Sequence, residues 1–125
     1  MCVFCEPSGR ILYEDDWVYA MFDHYPVNPG HVLIIPKRHV VSVFDTTPKE
    51  REAMLEAVTR IKPLVDKAYQ PLGYNVGIND GTVAGQTIMH CHVHVIPRYE
   101  GDVSDPRGGI RGVIPNRKTY KKNTA

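Results

Sequence analysis

The chain has 125 residues, 42% hydrophobic and 23% charged, enough for one domain with a single core and too apolar for a disordered segment. No apolar stretch approaches the roughly 20 residues of a membrane span, and Glu6 with no apolar run around it leaves no secretory leader, so a cytoplasmic protein without membrane association is expected. The net charge of +1 conceals a split: residues 1–105 carry nine Lys/Arg against all 14 Asp/Glu, a net of −5, whereas residues 106–125 carry Arg107, Arg111, Arg117, Lys118, Lys121 and Lys122 and no acid, a net of +6.

In chain order, Ile11–Tyr13 and Trp17–Phe22 are β-type runs separated by Glu14-Asp15-Asp16, which predicts a hairpin. Pro26-Val27-Asn28-Pro29-Gly30 is a turn cluster. His31–Ile35 follows as a strand closed by Pro36, and its four consecutive apolar residues predict that both faces are covered. Thr47-Pro48-Lys49-Glu50 opens a helix: Thr47 caps, Pro48 suits the first helical position, and Glu50 completes a capping box. Met54, Val58, Ile61, Val65 and Ala68 form its apolar stripe, with a kink expected at Pro63. Gly73–Ile78 is a fourth strand. Asn79-Asp80-Gly81 and Ala84-Gly85-Gln86 make a polar connection to a fifth strand, Ile88–Ile96, ended by Pro97. Strands, one long helix and further strands predict an α+β fold, a mostly antiparallel five-stranded sheet with one helix. Residues 1–105 form the domain on this reading, 106–125 are a basic appendage, and Lys121–Ala125 are frayed.

The chemistry concentrates in His90-Cys91-His92-Val93-His94-Val95-Ile96. Residues two apart on a strand share a face, so strict alternation lines up three imidazoles about 6.5–7 Å apart and turns Cys91, Val93 and Val95 to the other side. Imidazole near neutrality serves as nucleophile, proton carrier or metal ligand. Three on one strand converge poorly on a single ion, whose donors lie about 3–3.5 Å from each other. Gly85-Gln86-Thr87 immediately upstream offers amides and a hydroxyl suited to phosphate oxygens and a leaving group, which favours one histidine attacking while its neighbours position charge. The three cysteines do not suggest a disulfide framework. Cys2-Val3-Phe4-Cys5 is a C-x-x-C pair, half of a zinc site or a redox pair, and Cys91 reads as a small core hydrophobe.

H-C-H-V-H-V-I at His90–Ile96 resembles the signature of the histidine triad superfamily of nucleotide hydrolases and transferases. Phe22-Asp23, P-G-H-V-L-I-I-P-K-R-H at Pro29–His39, N-D-G from Asn79 and G-Q-T at Gly85–Thr87 occur in that family's order, so the resemblance spans nearly the whole chain. It is nearest to the bacterial branch, described as diadenosine polyphosphate hydrolases or nucleoside phosphoramidases. It implies that His92 attacks the α-phosphorus and forms a nucleotidyl-histidine, which water resolves to a nucleoside monophosphate. His94 would contact phosphate oxygens and bring positive charge to them, and His90 and His31 would orient the active strand. Thr87, where phosphoramidase relatives usually carry serine, would assist the leaving group. Asp23 would bind the ribose hydroxyls, Asn79 and Gln86 the phosphate, with Gln86 near the bridging oxygen, and Val3, Phe4 and Met21 would line the base slot. Histidine at the third triad position, in place of the glutamine of the nucleotidyltransferase branch, points to hydrolysis.

The resemblance further implies a structural zinc on Cys2, Cys5, His39 and His90, although Glu6–Arg10 is shorter than the matching linker in many relatives. It implies no organic cofactor, a purine nucleotide or dinucleoside polyphosphate as substrate, a homodimer, and a basic segment 106–125 packed near the substrate edge, on its own domain or on the dimer partner. A nucleic-acid partner is not expected. Two rivals stand beside the hydrolase: a nucleotide-binding regulatory module with only slow hydrolysis, and a zinc hydrolase with the triad as ligands.

Overall fold

The structure, a computed structural model, describes residues 2–120, so the frayed end expected at Lys121–Ala125 lies outside the described residues. Its strands are β1 (Ile11–Glu14), β2 (Val18–Phe22), β3 (Val32–Pro36), β4 (Gly73–Gly77) and β5 (Val93–Arg98), with α1 (Pro48–Tyr69) between β3 and β4. All pairings are antiparallel, in the order β1-β2-β3-β5-β4. The α+β architecture and the hairpin follow the expectation.

The helix begins where its capping chemistry places it. Thr47 Oγ1 accepts from the Glu50 amide at 3.1 Å, and Glu50 Oε1 accepts from the Thr47 amide at 2.8 Å. Glu50 is 2% exposed, and Arg38 neutralises it with a two-pronged contact of 2.8 and 3.0 Å, so the carboxyl sits below its ordinary range with Arg38 the main cause. Arg38 of the P-K-R-H run thus serves the helix, and fixes the chain immediately before His39. The helix continues through Pro63 to Tyr69. Its buried residues are Glu50, Ala53, Met54, Ala57, Ile61 and Val65. Val58 is half-buried and Ala68 is exposed, so the buried stripe sits nearer the N-terminal end than predicted.

The alternation of β3 divides the interior. Val32 and Ile34 join Val18, Ala20, Cys91, Val93 and Val95 beneath α1, whereas Leu33 and Ile35 join Tyr19 and Met21 on the opposite face, covered by Phe4. Both faces of β3 are covered, as its apolar run predicts. Tyr19 Oη donates to the Phe4 carbonyl at 2.7 Å and pins the N-terminal segment there.

The fifth strand departs from its predicted bounds at both ends. It starts at Val93, because the register that pairs Ile34 with Val93 sets Pro36, which has no N–H, against Cys91. The Cys91 amide turns instead to the Val40 carbonyl at 2.7 Å. At the far end β5 runs through Pro97 to Arg98: the β3 ladder stops at Val95, and Pro97 offers its carbonyl on that side to Asn28 Nδ2 at 3.0 Å. Pro97 is therefore tolerated where one side of the strand has lost its partner.

Replacing Thr47 by alanine removes one half of the capping box and is expected to cost about 1 kcal/mol, read by urea denaturation at pH 7. Because the Glu50 carboxyl is held below its unfolded value, its contribution is complete above the ordinary carboxylate range and fades as pH falls through and below it. An Arg38→Ala variant whose stability showed an unchanged acid limb would contradict that assignment.

Candidate active site

A cleft of about 470 Å³ opens on the sheet face opposite α1. Val3, Phe4, Met21, Leu33 and Ile88 supply apolar lining, and Asp23, Asn79, Gly85, Thr87, His92 and His94 supply polar groups. Of the residues expected at the site, Val3, Phe4, Met21, Asp23, Asn79, Thr87, His92 and His94 meet there, while His31 and His90 stand behind it, 1% and 0% exposed.

Each buried imidazole has one nitrogen tied to a backbone group, and that tie decides what the other nitrogen can do. His92 Nδ1 lies 2.8 Å from the His90 carbonyl, which can only accept, so Nδ1 carries a proton and, in the neutral ring, Nε2 holds the lone pair. The His31 Nδ1 lies 3.1 Å from the Val27 amide, which can only donate. His31 is therefore protonated at Nε2, and donates at 3.0 Å to His94 Nδ1. His94 in turn holds its proton on Nε2. The row ends with a base at His92 and an N–H donor at His94, their ring centroids 5.0 Å apart.

Burial, then the neighbouring His92 and His31, push His94 down to about 4, so it is neutral at pH 7. Without an anion in the cleft, His94 therefore offers an N–H rather than a charge. Burial also lowers His31, against the pull of Asp23 Oδ2 at 3.5 Å. Asp23 meanwhile accepts from the Tyr25 amide at 2.9 Å, which orients its carboxylate beside the cleft.

Gln86 departs from its expected place beside the bridging oxygen. Its side chain accepts from the Gly81 amide at 2.8 Å and donates to the Val41 and Ile88 carbonyls at 2.9 and 3.1 Å, and it is 3% exposed. These bonds fold the Gly81–Gln86 loop so that Asn79, Gly85 and Thr87 face the cleft. Gly85, at φ +99°, takes a left-handed conformation that disfavours a side chain. Asp80 braces the same loop from outside, accepting from the Ser42 hydroxyl at 3.0 Å and the Val43 amide at 2.8 Å.

Four further side chains cluster beside Phe4. The ligand atoms of Cys2, Cys5, His39 and His90 all lie within 4.8 Å of one another, with Cys2 Sγ and Cys5 Sγ each 3.2 Å from the Nδ1 of His90 and His39 respectively. His90 Nε2–H donates to the Pro36 carbonyl at 2.7 Å, which leaves Nδ1 as the lone pair facing the sulfurs. Two thiols, two imidazoles and a backbone bond orienting one ring make a donor set that fits tetrahedral zinc. The short Glu6–Arg10 connection does not prevent the closure. A second group, Asp23, His31 and His94, also lies within 4.8 Å, but the Val27 amide occupies His31 Nδ1 and keeps the proton on Nε2, the nitrogen that faces Asp23 and His94.

Ser8, His24 and Tyr25 also line the cleft, with Ser8 Oγ and His24 Nε2 3.1 Å apart. Sequence reasoning did not find them; the only signal was the adjacency of His24 and Tyr25 to Asp23. The basic segment lies elsewhere. None of its described residues lines the cleft: Gly109, Ile110, Gly112 and Val113 pack toward Asn75 and Ile96 of the same chain. Arg107 pairs with Asp105 at 3.0 Å, Lys118 Nζ donates to the Asp105 carbonyl, and Arg111 lies over the Tyr120 ring.

These features define a cleft flanked by a histidine row, on an antiparallel sheet backed by one helix. Residues 6–101 match the HIT domain family, and the chain belongs to that family. It is 38% identical over 108 residues to Protein hit of Bacillus subtilis, covering 81% of this chain and 74% of that one. It is 38% identical over 98 residues to the asymmetrical bis(5'-nucleosyl)-tetraphosphatase of Schizosaccharomyces pombe, covering 78% of this chain and 54% of that enzyme. Among solved structures, a zinc-bound histidine triad family protein from Mycobacterium smegmatis superimposes with a TM-score of 0.75 at 36% identity, covering 83% of this chain and 79% of that one. Among the described residues no helix is long and apolar enough to cross a membrane.

Nitrogen-15 NMR of the imidazoles at pH 7 is expected to find the proton on Nδ1 in His92 and on Nε2 in His94. Because the folded pKa of His94 lies below the unfolded value, its contribution to stability is complete above about 6.5 and is lost as pH falls toward about 4. A His94 ring that titrates near 6.5 in the folded protein would refute this.

Proposed function

We propose that the chain hydrolyses a phosphoanhydride or phosphoramidate bond at the α-phosphate of a purine nucleotide or dinucleoside polyphosphate, through a nucleotidyl-histidine at His92. The observation that carries this reading is the 2.8 Å bond from His92 Nδ1–H to the His90 carbonyl, which directs an unprotonated Nε2 at the cleft. The tetraphosphatase among the relatives supports the substrate class.

In the first step His92 Nε2 forms a bond to the α-phosphorus as the bond to the leaving group breaks. Positive charge grows on the ring and is drawn toward the His90 carbonyl through Nδ1–H. His94 Nε2–H donates to a non-bridging oxygen, and the Thr87 hydroxyl relays a proton from solvent to the departing group. Asp23 accepts from the ribose hydroxyls, and the base enters between Val3, Phe4 and Met21. Asn79 holds phosphate, while Gln86 acts by bracing the loop. Water then attacks phosphorus, forming an O–P bond as the P–N bond to His92 breaks; one water proton passes to solvent, the nucleoside monophosphate leaves, and His92 is again neutral.

Zinc on Cys2, Cys5, His39 and His90 belongs to the same reading, as a closed, structural site that clamps the N-terminal segment to the sheet. The zinc-bound relative supports it. A homodimer belongs to it as well: β4 pairs on one side only, with β5, and leaves a strand edge for a second copy. Residues 1–105 are the catalytic domain and 106–125 its basic appendage in this assembly.

Adenosine phosphoramidate and diadenosine tetraphosphate should both be tried, with product AMP as the readout. His92→Ala is expected to lower kcat by about 10³-fold or more, because it removes the nucleophile itself. Two intact substrates, or a His92→Ala enzyme as fast as wild type, would reject the hydrolase. Tight AMP binding with turnover below roughly one per minute would favour the regulatory module, against a common range of about 1–10³ per second. For the metal, elemental analysis should find about one zinc per chain, lost in Cys5→Ser. A metal-free wild type of equal stability would remove zinc from the proposal.

A further inference from the structure

The four-residue cluster and the cleft share the same piece of chain. Cys2 and Cys5 bracket Val3 and Phe4, and those two residues line the cleft. The Phe4 ring stands edge-on to His92 at 5.0 Å and to His90 at 6.2 Å. Cys2 Sγ reaches His90 Nδ1 at 3.2 Å, and the carbonyl of that same His90 holds His92. The sulfurs therefore touch both the wall of the base slot and the residue that orients the nucleophile. They are also the accessible ones: Cys5 is exposed and Cys2 half-buried, whereas Cys91 is 1% exposed. The Cys5 amide donates to the Cys2 carbonyl at 3.3 Å, a tight turn that brings the two side chains to the same side.

We propose that Cys2 and Cys5 form a peroxide-sensitive gate on this cleft: oxidised to a disulfide, they let go of His39 and His90, and nucleotide binding weakens. The gate rests on the nucleotide reading of the cleft. It does not depend on whether a metal ion or hydrogen bonds link sulfur to imidazole, because either link is lost when the sulfurs bond to each other.

The chemistry balances with hydrogen peroxide as the oxidant. One thiolate attacks a peroxide oxygen, breaking the O–O bond; the sulfur becomes a sulfenic acid and the released hydroxide takes up a proton to leave as water. The second thiolate attacks the sulfenic sulfur, forms the S–S bond and expels a second hydroxide, which is protonated to water. The two sulfurs together give up two electrons, and the peroxide accepts them. Any zinc held by the cluster then loses both thiolates and departs as the divalent ion. A disulfide draws the sulfurs to about 2.05 Å apart, away from the rings they face. The N-terminal segment keeps the Tyr19–Phe4 bond but loses its attachments to His39 and His90. His90 retains the Pro36 bond alone, and with it a looser hold on His92.

The test uses the full chain, reduced and then exposed to peroxide, with AMP as the probe. Intact mass should fall by two hydrogens, peptide mapping should place the bridge between Cys2 and Cys5, and zinc, where bound, should appear in solution. AMP affinity should drop about tenfold or more, the scale on which loss of an orienting partner acts. The His92 ring signals should shift in NMR even without nucleotide, and dithiothreitol with added zinc should restore both properties. Cys91→Ala should respond like wild type, and Cys5→Ser should not form the bridge. Unchanged AMP affinity and unchanged His92 signals in a fully bridged protein would overturn the gate, as would oxidation confined to Cys91. A reduced protein that binds no AMP, yet whose His92 signals move on bridging, would sink the nucleotide reading and leave the gate standing.

Discussion

The His90 carbonyl is the acceptor on which the site depends. A neutral imidazole has one N–H and one lone pair, and without an external constraint it exchanges them freely. At His92 the constraint is a backbone oxygen 2.8 Å away that can only accept. That oxygen is itself fixed, because His90 is fully buried and its ring donates to the Pro36 carbonyl. Two backbone carbonyls on adjacent segments thus determine which nitrogen of His92 faces the cleft. The parallel chain from the Val27 amide through His31 to His94 does the reverse and presents an N–H. A base and a donor stand side by side although the two side chains are chemically the same.

The sheet makes this possible by giving its two faces different work. Under α1, Ala53, Ala57, Ile61 and Val65 pack on Val18, Ala20, Ile34 and Val93, and this is where burial stabilises the fold. The opposite face is thinner: Tyr19, Met21, Leu33 and Ile35 are covered mainly by Phe4, and the remainder is left open as the cleft. Pro36 sits where the two functions meet. Because it cannot donate, the β3–β5 ladder ends there. In the released segment the Cys91 amide bonds to the Val40 carbonyl, and Pro36 receives a side chain, His90 Nε2–H, in place of a ladder bond.

Much of this was legible in the sequence for a physical reason. Periodicities report burial, and the strict alternation from His90 to Val95 correctly separates the imidazoles from Cys91, Val93 and Val95. Capping chemistry is local, so Thr47-Pro48-Lys49-Glu50 located the helix start to the residue. What was not legible depends on partners distant in sequence. The start of β5 is decided by Pro36, and the continuation through Pro97 by the early end of the β3 ladder. Gln86 reads as a phosphate contact from its place in G-Q-T, but its amide is taken up by Gly81, Val41 and Ile88. The protonation of His94 before an anion binds is set by burial beside two other imidazoles, which spacing along the strand does not report. Arg107 and Lys118 of the basic segment meet Asp105, the last acid of the body, a pairing that charge counting by segment does not show.

Three histidines at strand spacing invite the idea of one metal centre, and their second nitrogens argue against it. A ligand must present a lone pair to the ion. His90 presents Nδ1 to the sulfurs of Cys2 and Cys5, His92 presents Nε2 to the cleft, and the His94 Nδ1 lone pair is met by the proton on His31. The three lone pairs thus point to three destinations, and among the described residues no group of converging ligand atoms contains all three histidines. The spacing that places the rings on one face does not make them act together. Their hydrogen-bond partners divide them instead: His90 turns to the cysteine cluster, His92 to the cleft, and His94 to His31.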